Sequence, residues 1–282
     1  MTISQPTPTN RLDRILADAR SQGRLGLFPY LTAGYPELAA TEGLALATFA
    51  AGADGIELGV PFTDPIADGA TMQRAGEIAL RNGATLAWTL ALATELRRQA
   101  TGAIVIMSYF NPIHHFGSEH FADRAAAAGV DGVIVPDLPF SEATGFAAAA
   151  EAAGLHLIQM IAPTTTPERL QEVGRTAHGF VYCVSLLGTT GTRANLSDQL
   201  PGFLAGARQY VKQPLAVGFG ISRPEHIRAL RSHADAAIVG SAVVDVLERT
   251  PAAQREAALS HYVAELAAAC VPDPKGSPAP AP

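Results

Sequence analysis

Ala51-Gly52-Ala53-Asp54-Gly55 and Ala128-Gly129-Val130-Asp131-Gly132 share one local text: an alanine-rich segment, a glycine, an aspartate, then a short apolar run. Ala152-Ala153-Gly154 repeats its first half. The glycine suits the left-handed cap that ends a helix, and the residues after it read as a tight connection into a strand. Working outward, eight short apolar runs alternate with longer Ala/Leu-rich segments, the runs covering 25–31, 55–60, 103–109, 132–135, 155–161, 179–184, 215–219 and 236–239. Most are near-continuously apolar and β-branched, as in parallel strands buried on both faces. Segments 37–51, 118–128, 142–153 and 224–231 read as helices, and Pro167 and Pro224 fall where a first helical turn tolerates a missing N–H. Repeated β-then-α units predict an α/β fold, a single (β/α)8 TIM barrel, over an open doubly wound sheet. No GxGxxG follows the first run, which weakens a dinucleotide-binding alternative. The expected organisation is a flexible N-terminus (1–9), a catalytic barrel (10–270) and a disordered Pro-rich tail (271–282). Within the barrel, 10–22 reads as an extra N-terminal helix closing the bottom, and 252–270 as a last helix.

Composition narrows the chemistry. In 282 residues, 48% are hydrophobic and 16% charged, enough for one large buried core. A net charge of −6 argues against a nucleic-acid or anionic-membrane partner. No apolar run approaches the ~20 residues that span a bilayer, and no secretory pattern opens the chain, so the expected setting is the cytoplasm. Cys183 and Cys270 form neither a disulfide framework nor a metal spacing, and Cys183 reads as a small core residue. The two lysines are Lys212, just before an apolar run, and Lys275, in the tail. The eight histidines show no HxxH-like pair, and His114-His115 reads as part of a loop after Asn111-Pro112. The expected site therefore holds neither a metal nor a cofactor.

In a barrel the active site lies at the C-terminal ends of the strands. Glu57 interrupts an apolar run between Ile56 and Leu58. Such a carboxylate either faces the barrel mouth or is buried at considerable cost, and desolvation raises its pKa toward neutrality, which suits a group that gives and takes a proton. The alternative is a structural carboxylate tied to an arginine or to backbone amides. Asp64 and Asp68 follow on a loop held by Pro61 and Pro65; position alone leaves them as turn formers, a helix N-cap or site residues. Gly218-Phe219-Gly220-Ile221-Ser222 and Val239-Gly240-Ser241-Ala242 end the seventh and eighth runs. Loops after strands seven and eight form the recurring phosphate site of such barrels, where glycines let backbone N–H groups approach an anion. The Gly/Thr-rich stretch 185–193 reads as a mobile loop that shuts water out, or as a plain surface loop. Tyr30, Tyr109 and Tyr182 lie at or near strand ends, as walls for a flat aromatic ring or as core.

Together these segments resemble the tryptophan synthase α subunit family. The matching pieces run in order along nearly the whole chain: Pro29-Tyr-Leu-Thr-Ala-Gly-Tyr-Pro36, Glu57-Leu-Gly-Val-Pro-Phe-Thr-Asp-Pro-Ile-Ala-Asp-Gly69, Met107-Ser-Tyr-Phe-Asn-Pro112, Val135-Pro-Asp-Leu-Pro139, the stretch 188–191, the stretch 218–222 and Gly240-Ser241. The resemblance implies a lyase: retro-aldol cleavage of indole-3-glycerol phosphate to indole and glyceraldehyde 3-phosphate. It implies Glu57 as general acid–base and Asp68 as the carboxylate that accepts the indole N–H. It implies Tyr30, Tyr109 and Tyr182 around the indole, and Thr190 and Gly191 on a closing loop where Thr190 meets Asp68. It also implies Phe219, Gly220, Gly240 and Ser241 in substrate binding, the last three on the phosphate. Thr189 stands where the family usually has Val or Ile, and Thr63 where Ser is common. The family's β subunit carries pyridoxal phosphate, so that cofactor is expected in the partner of an αββα tetramer, contacted through 63–65, 111–112 and 139–140. The alternatives are a stand-alone indole-3-glycerol phosphate lyase and a catalytically silent phosphate-binding barrel that regulates a partner.

Overall fold

The computed structural model describes residues 10–184, 198–218 and 220–272. The expectations for 1–9, for the stretch 185–193 with Thr190 and Gly191, for Phe219 and for 273–282 lie outside the described residues. In chain order the elements are α1 (Arg11–Ser21), β1 (Gly26–Thr32), α2 (Leu38–Ala50), β2 (Gly55–Gly59), α3 (Ala70–Arg81), α4 (Leu86–Gln99) and β3 (Ala103–Met107). Next come α5 (Phe110–Phe116), α6 (Ser118–Ala127), β4 (Gly132–Ile134), α7 (Thr144–Ala152), β5 (His156–Ile161), α8 (Pro167–Thr176) and β6 (Val181–Cys183). The last are α9 (Leu200–Arg208), β7 (Leu215–Val217), α10 (Pro224–Leu230), β8 (Ala236–Val239), α11 (Ser241–Arg249) and α12 (Arg255–Cys270). The eight strands are parallel and close into a barrel, β8 pairing back onto β1 at Gly26↔Ala236.

The repeated text does two jobs. Gly52, Gly129 and Gly154 sit just past α2, α6 and α7 at φ 101°, 78° and 78°, a backbone region where side chains are strained. Two residues after Gly52 and Gly129 stands an aspartate that bolts neighbouring strands together. Asp54 Oδ2 accepts the Leu27 N–H at 2.9 Å and an Arg24 N–H at 2.8 Å. Asp131 Oδ2 accepts the Ile104 N–H at 2.8 Å and Arg97 at 2.9 Å, while its Oδ1 accepts Arg11 at 2.7 Å. Asp235, before β8, accepts the Leu215 N–H at 2.8 Å and pairs with Arg208. All three lie where strands begin, the end of the barrel away from the mouth.

Two apolar layers result from the strand pleat. Outward residues such as Ile56, Leu58, Ile104 and Val133 pack under the helices. Inward residues Phe28, Val105, Ile134, Ile158, Phe180 and Ile238 fill the barrel, and Leu12 and Leu16 of α1 join them as a plug, as expected of the N-terminal helix. His156, first residue of β5, is spent at this lower end on Asp13 of α1, with Nε2 2.8 Å from Oδ2.

One expectation is corrected. His114 and His115 lie in helix α5, not in a loop. Pro112 occupies the first turn, where no intrahelical acceptor needs its missing N–H. The Phe110 N–H at the start of that turn is taken by Asp137 Oδ1 at 2.8 Å, a contact from the next β-unit that local sequence does not reveal.

Candidate active site

Strand register sets the mouth. Tyr30 lies beside Glu57, and Thr32 beside Gly59, across the β1–β2 pair; Glu57 has Val105 of β3 on its other side. Residues two apart on a strand share a face. The inward face of β1 therefore presents Tyr30 then Thr32, and that of β2 presents Glu57 then Gly59.

Gly59 supplies space where β2 would otherwise crowd the site. A Cβ placed there would lie 1.6 Å from the Tyr30 hydroxyl oxygen, so the phenol occupies the volume a side chain would fill. The same device recurs across the mouth: a Cβ on Gly218 would lie 1.9 Å from the Tyr182 hydroxyl, which donates to the Gly218 carbonyl at 3.4 Å. Sequence reading did not single out Gly59, although it sits one inward step beyond the strand carboxylate. Gly59→Ala is expected to displace the Tyr30 ring and lower kcat/KM about thirtyfold or more while the barrel still folds, because misplaced active-site walls are costly. Adding Tyr30→Leu, which vacates the contested volume, is expected to recover part of that loss in the same assay.

Glu57 is 2% exposed, and neither carboxylate oxygen has a hydrogen-bond partner. Burial first, then the nearby charge of Asp68, pushes its pKa up to about 8. Among the described residues no arginine or backbone amide ties it down, which goes against the structural alternative for this residue. Asp68 is not a helix cap: Gly69 precedes α3, with no side-chain cap bond. Burial raises the Asp68 pKa to about 6, opposed by a hydrogen bond from Tyr109. The Tyr109 hydroxyl accepts the Ala67 N–H at 3.0 Å, which ties the loop after β2 to the end of β3. Phe62 stacks on the Tyr109 ring with centroids 5.3 Å apart. Tyr30 and Tyr182 are buried, and the charges of Glu57 and Asp68 help hold both phenols well above their usual pKa.

The expected phosphate end adjoins this group. A Cβ on Gly240 would lie 3.9 Å from that of Tyr30, so the end of β8 flanks Tyr30 on the side opposite Glu57. Ser241 opens α11, and Gly220 adopts φ 77° after β7. The Ser222 peptide is clamped from both sides: its N–H donates to His226 Nδ1 at 3.2 Å, and its carbonyl accepts the Tyr262 hydroxyl at 3.0 Å. Neither His226 nor Tyr262 was expected here: His226 turns back onto the loop from the first turn of α10, four residues on, and Tyr262 reaches it from α12, 40 residues away. Around the mouth, β6, β7, β8, β1, β2 and β3 thus bring Tyr182, Gly218, Gly240, Tyr30, Glu57 and Tyr109 into one arc, with Asp68 on the β2 loop.

Elsewhere reactive groups are muted. Burial pushes the Cys183 thiol up to about 12. Among the described residues no group of three or more His, Cys, Asp or Glu side chains is placed to hold a metal ion. Lys212 lies in the connection entering β7, away from the mouth. Among the described residues no helix is long and apolar enough to cross a membrane.

The barrel has counterparts in known proteins. A family profile described as tryptophan synthase alpha chain matches residues 16–270. The tryptophan synthase alpha chain of Chloroflexus aurantiacus is 46% identical over 261 residues, 92% of this chain and 98% of that protein. A solved structure of Mycobacterium tuberculosis tryptophan synthase superposes with a TM-score of 0.87 at 36% identity, covering 94% of this chain and 100% of that one. Tryptophan synthase subunit alpha from Legionella pneumophila superposes at 0.84 with 34% identity, covering 93% and 98%. With a match that runs from the plug helix to the last helix, this chain belongs to the tryptophan synthase alpha chain family.

Proposed function

We propose that this chain is a lyase that cleaves indole-3-glycerol phosphate to indole and D-glyceraldehyde 3-phosphate, as the α subunit of tryptophan synthase in tryptophan biosynthesis. The observation that carries the reading is Glu57, a buried carboxyl with both oxygens unpartnered, beside a second carboxyl whose charge it feels. At neutral pH the first is protonated and the second is ionised, an acid and a base set apart by environment.

The steps follow from those states. Glu57 gives its proton to C3 of the indole, making the ring a cationic electron sink. The Asp68 carboxylate accepts the ring N–H and stabilises that charge. Glu57, now a carboxylate, takes the proton of the adjacent glycerol hydroxyl. The oxygen's electron pair forms the aldehyde C=O, the carbon–carbon pair returns to the ring, and Glu57 ends protonated as it began. Tyr30, Tyr109 and Tyr182 wall the indole, while Gly220, Gly240 and Ser241 hold the phosphate through backbone N–H groups. Phe219, Thr190 and Gly191 are proposed in substrate contact and closure from the resemblance alone.

The partner is a β subunit in an αββα assembly that carries the pyridoxal phosphate, and the setting is the cytoplasm. Supporting the contact, Thr63, Asp64, Asn111 and Pro139 are exposed at the mouth ends of β2, β3 and β4, and Ile66 on the same β2 loop is 82% exposed. The test is indole release from indole-3-glycerol phosphate by the full chain, with and without a β subunit. Release that rises with the partner supports the reading; no release in either case rejects it.

The two acid constants predict a bell-shaped kcat/KM. Activity is expected to rise as Asp68 ionises near pH 6 and to fall as Glu57 loses its proton near pH 8; these limbs belong to the coupled pair. In Asp68→Asn the rising limb disappears from the residual activity. The falling limb moves to lower pH, because the charge that helped raise Glu57 is gone.

A further inference from the structure

Nine buried polar or charged residues are present among the described ones: Thr32, Thr41, Thr48, Glu57, Thr89, Ser108, Asp131, Gln159 and His226. Thr41, Thr48 and Thr89 return their hydroxyls to helix carbonyls four residues back, and Ser108 donates to the Tyr109 carbonyl. Gln159 donates to Thr176, Asp131 holds two arginines, and His226 accepts from Ser222. Only Thr32 and Glu57 leave every polar side-chain atom without a partner. The two are diagonal neighbours on adjacent strands, facing one mouth.

Thr32 is 4% exposed, on a strand where valine has nearly the same shape and no hydroxyl to bury. A buried hydroxyl without a partner costs more than an apolar group of the same shape. The Thr32 hydroxyl lies close enough to the Tyr30 phenol to oppose the rise in that group's pKa, but the two are not aligned as a hydrogen bond. Its partner across the sheet, Gly59, has no side chain, and the Tyr30 phenol fills that space. The hydroxyl therefore keeps unspent hydrogen-bonding capacity beside the Tyr30 phenol, on the inward face and one diagonal step from Glu57.

We propose that Thr32 is a specificity-determining residue whose hydroxyl hydrogen-bonds the glycerol portion of the substrate, holding the polyol against Glu57. The proposal rests on the cleavage reading above. It assigns Thr32 to the polyol hydroxyls, leaving the ring to the tyrosines and the phosphate to the β7 and β8 loops.

The test compares wild type, Thr32→Val and Thr32→Ser on indole-3-glycerol phosphate, and measures inhibition of each by an indole-propyl phosphate that lacks the glycerol hydroxyls. Thr32→Val is expected to lose tenfold or more in kcat/KM, Thr32→Ser to stay within about threefold of wild type, and the inhibitor to bind all three alike. Thr32→Val should unfold at the same temperature as wild type or higher, since it removes an unpartnered hydroxyl. An active wild type with unaltered kcat/KM in Thr32→Val overturns the proposal and leaves the cleavage reading standing. So does an equal loss toward the hydroxyl-free inhibitor, which would mean that the variant deforms the whole pocket. A wild type that releases no indole overturns the cleavage reading and the proposal with it.

Discussion

Glu57→Gln is expected to cut indole release at least a thousandfold while making the protein more stable at alkaline pH. The loss follows from the proposed mechanism, in which one carboxyl both delivers the ring proton and collects the hydroxyl proton, since placed acid–base groups supply ~10²–10⁴-fold each. The gain in stability follows from burial. An unfolded glutamate titrates near 4.3, whereas the folded Glu57 holds its proton to about 8. A carboxyl with a raised folded pKa contributes fully to stability below its unfolded value, and the contribution is lost as pH rises through the folded one. By pH 8 the wild type has given up on the order of 5 kcal/mol as an upper bound, at 1.36 kcal/mol per unit. Glutamine mimics the protonated acid at every pH, so the difference in unfolding midpoint between variant and wild type should open between pH 5 and 8. A difference that stays constant across that range would mean that Glu57 titrates as an exposed carboxylate.

The second large effect lies at the other end of the barrel. Asp131→Ala is expected to destabilise the fold by about 3–5 kcal/mol, read as a shift in the urea unfolding midpoint, because it strands buried charge. Arg97, with its side chain 16% exposed, would lose its carboxylate, and the Ile104 N–H would lose its acceptor. Burial raises the Asp131 pKa even against Arg97 and Arg11, so the ion pairs do not fully offset desolvation. Asp131→Asn strands the same Arg97 charge but keeps an acceptor for Ile104, so it is expected to cost less by about 1–2 kcal/mol, the penalty of leaving that buried N–H unpaired. Equal losses in the two variants would place the energy in the charge pairs and not in the backbone bond.

Much of the barrel was readable because its signals are local. A glycine at positive φ after a helix, a continuous apolar strand and a proline in a first helical turn each report on their own few residues, and Gly52, Pro167 and Pro224 all stand where expected. The α5 helix was misread for the same reason: Asn111-Pro112 looks like a break until Asp137, from the following unit, accepts the Phe110 N–H. Glu57 stood out because charge inside an apolar run is anomalous. Gly59 and Thr32 did not, since glycine and threonine are ordinary in sequence, and only the register between β1 and β2 shows what each faces. The aspartate of the repeated text was legible as a pattern, but its role as a strand bolt needed the neighbouring strand's N–H.

Taken alone, the order of residues determined the alternation of strands and helices, the closed parallel architecture, the carboxylate suited to proton transfer and the family resemblance, because periodicity and anomalous residues persist without coordinates. The three-dimensional arrangement decided which groups lack partners, how far burial moves each acid, and which side chains reach a loop from elsewhere, as Tyr262 reaches Ser222. Those properties depend on distance and solvent exclusion between segments far apart in the chain, and no window of neighbouring residues encodes them.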